Sequence, residues 1–379
     1  LPRLPSTELA APLLAWFARV RRDLPWRKEP RDPYRVWVSE VMLQQTRVEV
    51  VVPYFERFVA RFPTLGALAQ APLDDVLAHW SGLGYYARAR NLHKAARAAG
   101  IALPGTAAEL AQLPGFGPYT SAAVASLAFG EDVPVVDGNV ARVLSRLFRL
   151  AGDPAQARAL AWKAAPGLLP RGRAGLFNEA LMELGALVCT PRSPKCSDCP
   201  LSAHCLARAQ GDPERFPGPK KKKPRPRLTW AAAALFQRGA VLLARREPGA
   251  LFEGLWDLPS AEVPPPEVSL LARDGADLGA GARAGALAPL LEIAQTAAQA
   301  IALSCGLKVQ LTPVGEVEQT LTHREVRVLI FRGEARGRTG GERELRWVRE
   351  GDLASLGLSS LARKSLFACG VGRPKRLRL

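Results

Sequence analysis

Leu113-Pro-Gly-Phe-Gly-Pro-Tyr-Thr120, followed by Val136-Asp-Gly-Asn-Val-Ala-Arg142, reads as a tight glycine hairpin opening one helix, then an extended segment delivering a carboxylate to the start of another. Without side chains at Gly115 and Gly117, the backbone between them can turn sharply and lie against a ligand. Pro118 suits the first helical position, where its missing N–H costs nothing. The free N–H groups and positive helix end around Gly115, Phe116 and Gly117 would then face an anion such as a DNA phosphate. The same glycines also fit an ordinary turn between helices.

Outward from this hairpin the pattern is helical. Residues 6–22 form an amphipathic helix, and residues 34–62 form a helical stretch with a break expected near Pro53. Helical segments continue to about residue 208 with no run of alternating strands, so residues 1–210 are expected to be an all-α domain. Residues 211–228 (GDPERFPGPKKKKPRPRL) offer little to bury and read as a basic linker, whose lysine run 220–223 adds non-specific DNA affinity. Residues 229–370 read as a smaller α+β domain. Strands are expected within 230–245 and 326–331, helices over 292–305 and 360–369, and a loop over 261–290.

The chain of 379 residues carries a net charge of +17 and a pI near 10.2, which favours a polyanionic partner, nucleic acid or an acidic membrane surface. No apolar run reaches the ~18 residues a membrane span needs. The first residues lack the apolar core and cleavage site of a secretory signal. Four of the six cysteines fall in one short window, unlike a secreted disulfide framework, so a reducing, cytoplasmic setting is expected.

Those four, Cys189, Cys196, Cys199 and Cys205, can close around one metal centre. Thiolate count alone admits iron–sulfur or zinc, with His204 able to substitute in a zinc site. Cys305 and Cys369 stand apart and read as core residues. Glu40 lies inside the apolar run Val36-Trp-Val-Ser-Glu-Val-Met-Leu43. Burial would raise its pKa and keep a proton on it near neutrality, the state a general acid needs, unless it faces solvent or an arginine. Asp137 precedes a helix, where it can serve as an ordinary N-cap. The cap hydrogen bonds would lower its pKa and hold it ionised. A protonated and an ionised carboxyl together can cleave a glycosidic bond through an oxocarbenium-like transition state. Gln44-Gln45-Thr46 and Gly82-Leu-Gly-Tyr-Tyr86 offer amides and rings that can wedge between bases, although Tyr85 and Tyr86 also fit a core.

Taken together, LPWR (24–27), SEVMLQQTRVE (39–49), GLGYYARARNL (82–92), LPGFGPYT (113–120), VVDGNVARVLSRLF (135–148), FNEALMELGALVC (177–189) and the four-cysteine loop resemble the MutY family, adenine DNA glycosylases of the helix–hairpin–helix superfamily. The resemblance spans essentially the whole first half. It implies a monomeric, monofunctional enzyme of base excision repair, bacterial in type and associated with the nucleoid through DNA. Such an enzyme flips out and hydrolytically removes adenine mispaired with 8-oxoguanine or guanine in duplex DNA, and has no membrane partner. It also implies a [4Fe–4S] cluster on the loop 189–205. By motif position Glu40 is the acid protonating adenine at N7, and Asp137 stabilises the sugar cation or bonds it transiently. Tyr119, Asn139 and Glu179 complete the catalytic cluster. Arg22, Leu24, Trp26 and Arg27 match the pocket for the flipped adenine, Gln45 and Tyr85 the wedges, and Thr46 a contact to 8-oxoguanine. Lyase members of the superfamily carry a lysine where this chain has Tyr119, and a tyrosine cannot form a Schiff base with the sugar.

The second half resembles the family's MutT/Nudix-like domain, with Gly254-Leu-Trp-Asp-Leu-Pro259 in its early core segment. Thr322 and His323 stand where the family's 8-oxoguanine-contacting loop has Ser and His. Ala294-Gln-Thr-Ala-Ala-Gln299 replaces the acidic helix of pyrophosphate-hydrolysing relatives, so a recognition module without catalytic magnesium is expected.

Overall fold

A computed structural model describes residues 6–220, 224–264 and 280–372, with side chains from residue 8 and, after the last gap, from residue 289. The lysine run and the middle of the expected loop 261–290 lie partly outside these residues. Contacts divide the chain into two units, one of residues 1–71 and 88–222 and one of residues 72–87 and 223–379.

The first unit is helical: α1 (Ser6–Val20), α2 (Pro33–Leu43), α3 (Val48–Arg61), α4 (Leu65–Gln70), most of α6 (Ala87–Ala99), α7 (Ala107–Leu110), α8 (Pro118–Phe129), α9 (Gly138–Phe148), α10 (Pro154–Ala164), α11 (Ala174–Leu187) and α12 (Leu206–Ala209). Asp32 caps α2 by accepting from the N–H groups of Tyr34 and Arg35, with Pro33 at the first position. Eight of the eleven residues of α2 are buried, Glu40 among them. One face of α9 packs Val140, Val143, Leu144 and Leu147 against α10 and α11.

The break expected near Pro53 falls instead at Gln44–Arg47. Arg88 explains it: Nη1 donates to the carbonyls of Val41, Met42 and Gln44 at 2.8, 2.9 and 2.6 Å, taking up the last acceptors of α2. Pro53 lies inside α3, which survives one missing hydrogen bond because Val51, Phe55, Phe58 and Val59 bury its apolar face. The expected linker is also shorter than its composition suggests. Phe216 is buried, Gly218 N–H donates to the Gly152 carbonyl at 2.9 Å, and strand β1 already begins at Arg227.

The second unit holds a mixed sheet of β1 (Arg227–Gln237), β2 (Ala240–Arg245), β3 (Trp256–Asp257), β4 (Ser260–Val263), β5 (Thr312–Thr320), β6 (Glu325–Glu334) and β7 (Leu345–Arg349). Its path runs β3-β2-β1-β6-β5, with β4 on β1 and β7 on β2; β1 and β6 pair in parallel and the other described strand pairs are antiparallel. Successive residues of β1 point to opposite faces, and both faces are covered. Trp230, Ala232, Ala234 and Phe236 pack under α14 (Ser360–Ala368), while Ala231, Ala233 and Leu235 pack under α13 (Ala280–Ser304). The expected loop 261–290 therefore gives way to strand at Val263 and helix from Ala280. Gln295 and Gln299 of α13 donate to the carbonyls of Leu311 and Val309 at 3.2 and 2.9 Å. Cys305 and Cys369 are core residues, as their isolation suggested.

Residues 72–87, inside the stretch assigned by sequence to the helical domain, belong to this second unit. The segment carries α5 (Leu73–Trp80), and Ser81 Oγ and Tyr86 Oη donate to the Leu358 carbonyl at 2.9 and 3.0 Å. Arg245 pairs with Asp74. Local periodicity marks 73–80 as helix but carries no sign of which unit it packs with.

Candidate active site

Glu40, Tyr119, Asp137, Asn139 and Glu179 come together in the first unit. Glu40 is 3 % exposed near the C-terminal end of α2 and accepts a hydrogen bond from Tyr119 Oη. Burial lifts its pKa to about 7; the Tyr119 hydrogen bond and Arg27 oppose this, and the charges of Asp137 and Glu179 add to it. Those cross-influences mark the acids as neighbours in one recess. Burial also raises the Tyr119 phenol well above its usual value, with the nearby Glu40 and Asp137 charges contributing.

Asp137 caps α9, its Oδ1 accepting from Val140 N–H at 2.6 Å and its Oδ2 from Asn139 Nδ2 at 3.0 Å. The expected direction of its pKa is corrected here: burial raises it, outweighing the hydrogen bonds from Val140 and Asn139 and the pull of Arg142. Asn139 is held in turn, its Oδ1 accepting from Arg142 Nη2 at 2.9 Å, while Arg142 also donates to the carbonyls of Cys189 and Gly185, each at 2.8 Å.

The arginines do not stand free. Glu183 accepts from Arg22 Nε at 2.7 Å and from Arg27 Nη2 at 3.0 Å; Glu179 accepts from Arg31 Nη2 at 2.9 Å and lies 3.3 Å from Arg27 Nε. Burial works against the charge on Glu183, but the Arg22 and Arg27 hydrogen bonds prevail and lower its pKa. Glu183 and Arg31 join the site beyond the residues the motifs indicate. Glu183 had a signal, since it follows Glu179 by four positions and shares its helix face; Arg31 had none. Leu24 and Trp26 are buried, with Trp26 edge-on to Phe55 at 5.2 Å between centroids.

In the hairpin, Gly115 has φ +79°, and a Cβ there would meet Asn91 Cβ at 2.5 Å. No side chain caps α8, so the exposed backbone at Gly117 remains open to an anion. Between the two glycines, Phe116 N–H bonds to the Leu113 carbonyl at 3.2 Å and its ring stacks on Trp37 at 5.1 Å. Gln45 is exposed with φ 61°, a left-handed conformation uncommon outside glycine, and Thr46 Oγ1 accepts from Arg88 Nη2 at 3.4 Å. In the second unit Tyr85 is likewise left-handed, at φ 48°, and its hydroxyl bonds that of Thr322; His323 is exposed beside it.

Cys189, Cys196, Cys199 and Cys205 are all half-buried and unbridged, and Cys189, Cys199 and Cys205 pack against the helical core. Among the described residues no group of His, Cys, Asp or Glu is arranged for a single metal ion. Burial pushes the Cys199 thiol up to about 11, with the charges of Cys189, Cys205 and Cys196 adding to it. These sulfurs therefore sense one another, and a bound cationic core would turn them into thiolates. Arg146 Nη1 donates to Cys189 Sγ at 3.3 Å, a cation suited to an anionic thiolate set.

Residues 38–166 match the HhH-GPD superfamily base excision DNA repair protein model, residues 189–205 the iron–sulfur binding domain of endonuclease III, and residues 231–368 the NUDIX domain. The third of these models covers the sheet and both flanking helices of the second unit. Similar chains include adenine DNA glycosylases from Homo sapiens (38 % identical over 320 residues, 69 % of this chain and 59 % of that one) and Rattus norvegicus (39 % over 310 residues, 67 % and 60 %). Another, from Schizosaccharomyces pombe, is 43 % identical over 220 residues, 52 % of this chain and 48 % of that one. The chain spans about three fifths of the length of the human and rat relatives. The cysteine loop binds a [4Fe–4S] cluster, which settles the choice between iron–sulfur and zinc. Among the described residues no helix is long and apolar enough to cross a membrane.

Proposed function

We propose, from the premise that this chain joins a HhH-GPD base-excision domain, an endonuclease III-type iron–sulfur segment and a NUDIX domain, that it is a DNA glycosylase removing adenine opposite 8-oxoguanine or guanine in duplex DNA. The observation that carries this reading is the pair of recessed acids: Glu40, with a pKa of about 7, held by Tyr119 within electrostatic reach of Asp137. Burial keeps the proton on Glu40 well above the ordinary carboxyl range, so it can give its proton to N7 of an extruded adenine. The C1′–N9 bond then breaks, adenine leaves, and positive charge develops on the sugar. Asp137, in its ionised fraction, faces that charge with its geometry fixed by Val140 and Asn139. Water adds to C1′ and its proton restores the acid. No amine is needed, and the strand stays intact. Glu183 and Glu179 keep Arg22, Arg27 and Arg31 in place around the recess, and the iron–sulfur segment supplies a fixed loop for Arg142. The test is a duplex with one A opposite 8-oxoguanine: free adenine with an unbroken strand supports the reading, and binding without release rejects it.

Removing the Tyr119 hydroxyl isolates one part of this balance. That hydrogen bond lowers the Glu40 pKa, so in Tyr119→Phe the acid form should persist to higher pH. The alkaline fall in single-turnover adenine release, set near pH 7 in the parent, should move upward. An unmoved or downward-shifted limb would contradict the assignment of Glu40 as the titrating acid.

Recognition of the opposite base is assigned to Thr322 and His323, with Tyr85 as the ring wedged into the stack. Deleting the second half is a poor test, because residues 72–87 would lose the partners they pack on. Thr322→Ala is milder. Losing one hydroxyl contact should reduce the preference for 8-oxoguanine over guanine by roughly tenfold. Equal preference ratios in the variant and the parent would remove Thr322 from recognition.

A further inference from the structure

We infer that Arg146 is a positioning residue for the Cys189 ligand and that its buried charge sets the redox equilibrium of the iron–sulfur cluster. Arg146 lies on α9 and is only 2 % exposed. Its Nη1 donates to Cys189 Sγ at 3.3 Å and to the Thr190 carbonyl at 2.7 Å, its Nη2 to the Pro191 carbonyl at 3.0 Å, and its Nε to the Phe216 carbonyl at 3.1 Å. One side chain thus fastens the start of the cysteine loop to the segment that follows it.

Every acceptor around this guanidinium is a carbonyl or a sulfur; among the described residues no carboxylate pairs with it. A cation buried without a counter-charge is costly, and carbonyls solvate it without neutralising it. The anion that compensates Arg146 is the thiolate it touches. Four thiolates around an iron–sulfur core leave the assembly net negative, and one added electron makes it more so. A fixed cation with an N–H on a ligand sulfur therefore stabilises the reduced cluster more than the oxidised one, and raises the potential. Arg142, four residues earlier, differs: it reaches the Cys189 carbonyl rather than the sulfur. Arg208, also near the loop, is exposed, and its side chain donates to the Ser202 carbonyl at 3.2 Å rather than to a sulfur. None of this depends on which base the protein removes.

The test compares the full-length, cluster-loaded parent with Arg146→Met, Arg146→Lys and Arg208→Met. Iron content, release of iron to a chelator and the one-electron midpoint potential are read, the electron being exchanged with a mediator or an electrode. Arg146→Met should shift the equilibrium tenfold or more toward the oxidised form, which is 59 mV more negative for a one-electron couple. Arg146→Lys keeps the charge but presents a point cation in place of the planar fork; it should shift the potential less and release iron faster than the parent. Arg208→Met should match the parent. Full iron content with an unchanged potential in Arg146→Met would overturn the proposal. So would a shift of equal size in Arg208→Met, since the effect would then be one of general charge. Should Arg146→Met fail to retain iron, Arg146→Lys decides: parental potential and parental iron release there also overturn it.

Discussion

Glu40→Gln should lower adenine release by roughly a thousandfold, since a positioned proton donor is lost while shape and hydrogen-bonding capacity are retained. Binding to the mismatched duplex should survive, because the hairpin backbone at Gly115 and Gly117 and the wedge residues Gln45 and Tyr85 are untouched. The same substitution should also stabilise the protein. A buried carboxyl with a raised pKa favours the folded state when protonated: its contribution is complete below the ordinary value of 4.5 and is lost as pH rises through about 7. Above that, keeping Glu40 ionised costs up to ~3 kcal/mol, which glutamine does not incur. Thermal unfolding at pH 8 should therefore show a higher Tm for Glu40→Gln, with the difference vanishing below pH 4. A variant that is both inactive and destabilised at pH 8 would mean that Glu40 supports the fold rather than the chemistry.

Asp137→Asn should cost a further type of loss, roughly a hundredfold to a thousandfold in the rate of bond cleavage, because the amide offers no charge to the developing sugar cation. Asparagine caps helices about as well as aspartate, so α9 should remain in place with little change in stability. Its amide oxygen can still accept from Val140 N–H, which keeps the cap, while the amide nitrogen replaces the oxygen that accepts from Asn139 Nδ2, so that second hydrogen bond is lost. Adenine release by Asp137→Asn at near-parental rate would leave the sugar cation without its proposed partner. A collapse of stability would instead mean that the Asp137 carboxylate supports the fold rather than the chemistry.

How much of this was legible in the chain varies by residue. Glu40 could be read because the run around it, residues 36–43, is apolar apart from Ser39, and an acid inside such a run can hardly avoid burial. The cap role of Asp137 was equally legible, since it depends on the three residues that follow. Its pKa direction was not, because desolvation comes from elements far away in sequence that also bury Glu40 and Tyr119. Pro53 is the strongest local signal for a break in the first long helical stretch, whereas the structure uses Arg88, forty-odd positions on, to terminate α2. The same limit applies to residues 72–87, whose pattern says helix and says nothing of allegiance. In the second unit, alanine and glycine suggested a loop over 261–290, but in β1 and α13 small residues pack the sheet and helix closely together.

The central claim is that the recess works with one acid still carrying its proton near neutrality. The most direct measurement is single-turnover release of free adenine from a duplex with A opposite 8-oxoguanine, followed on both sides of pH 7. The account predicts a rate that falls about tenfold for each pH unit above about 7, declines at lower pH where Asp137 takes up its proton, and leaves the strand unbroken. A rate that climbs through pH 7, or strand scission accompanying release, would contradict it.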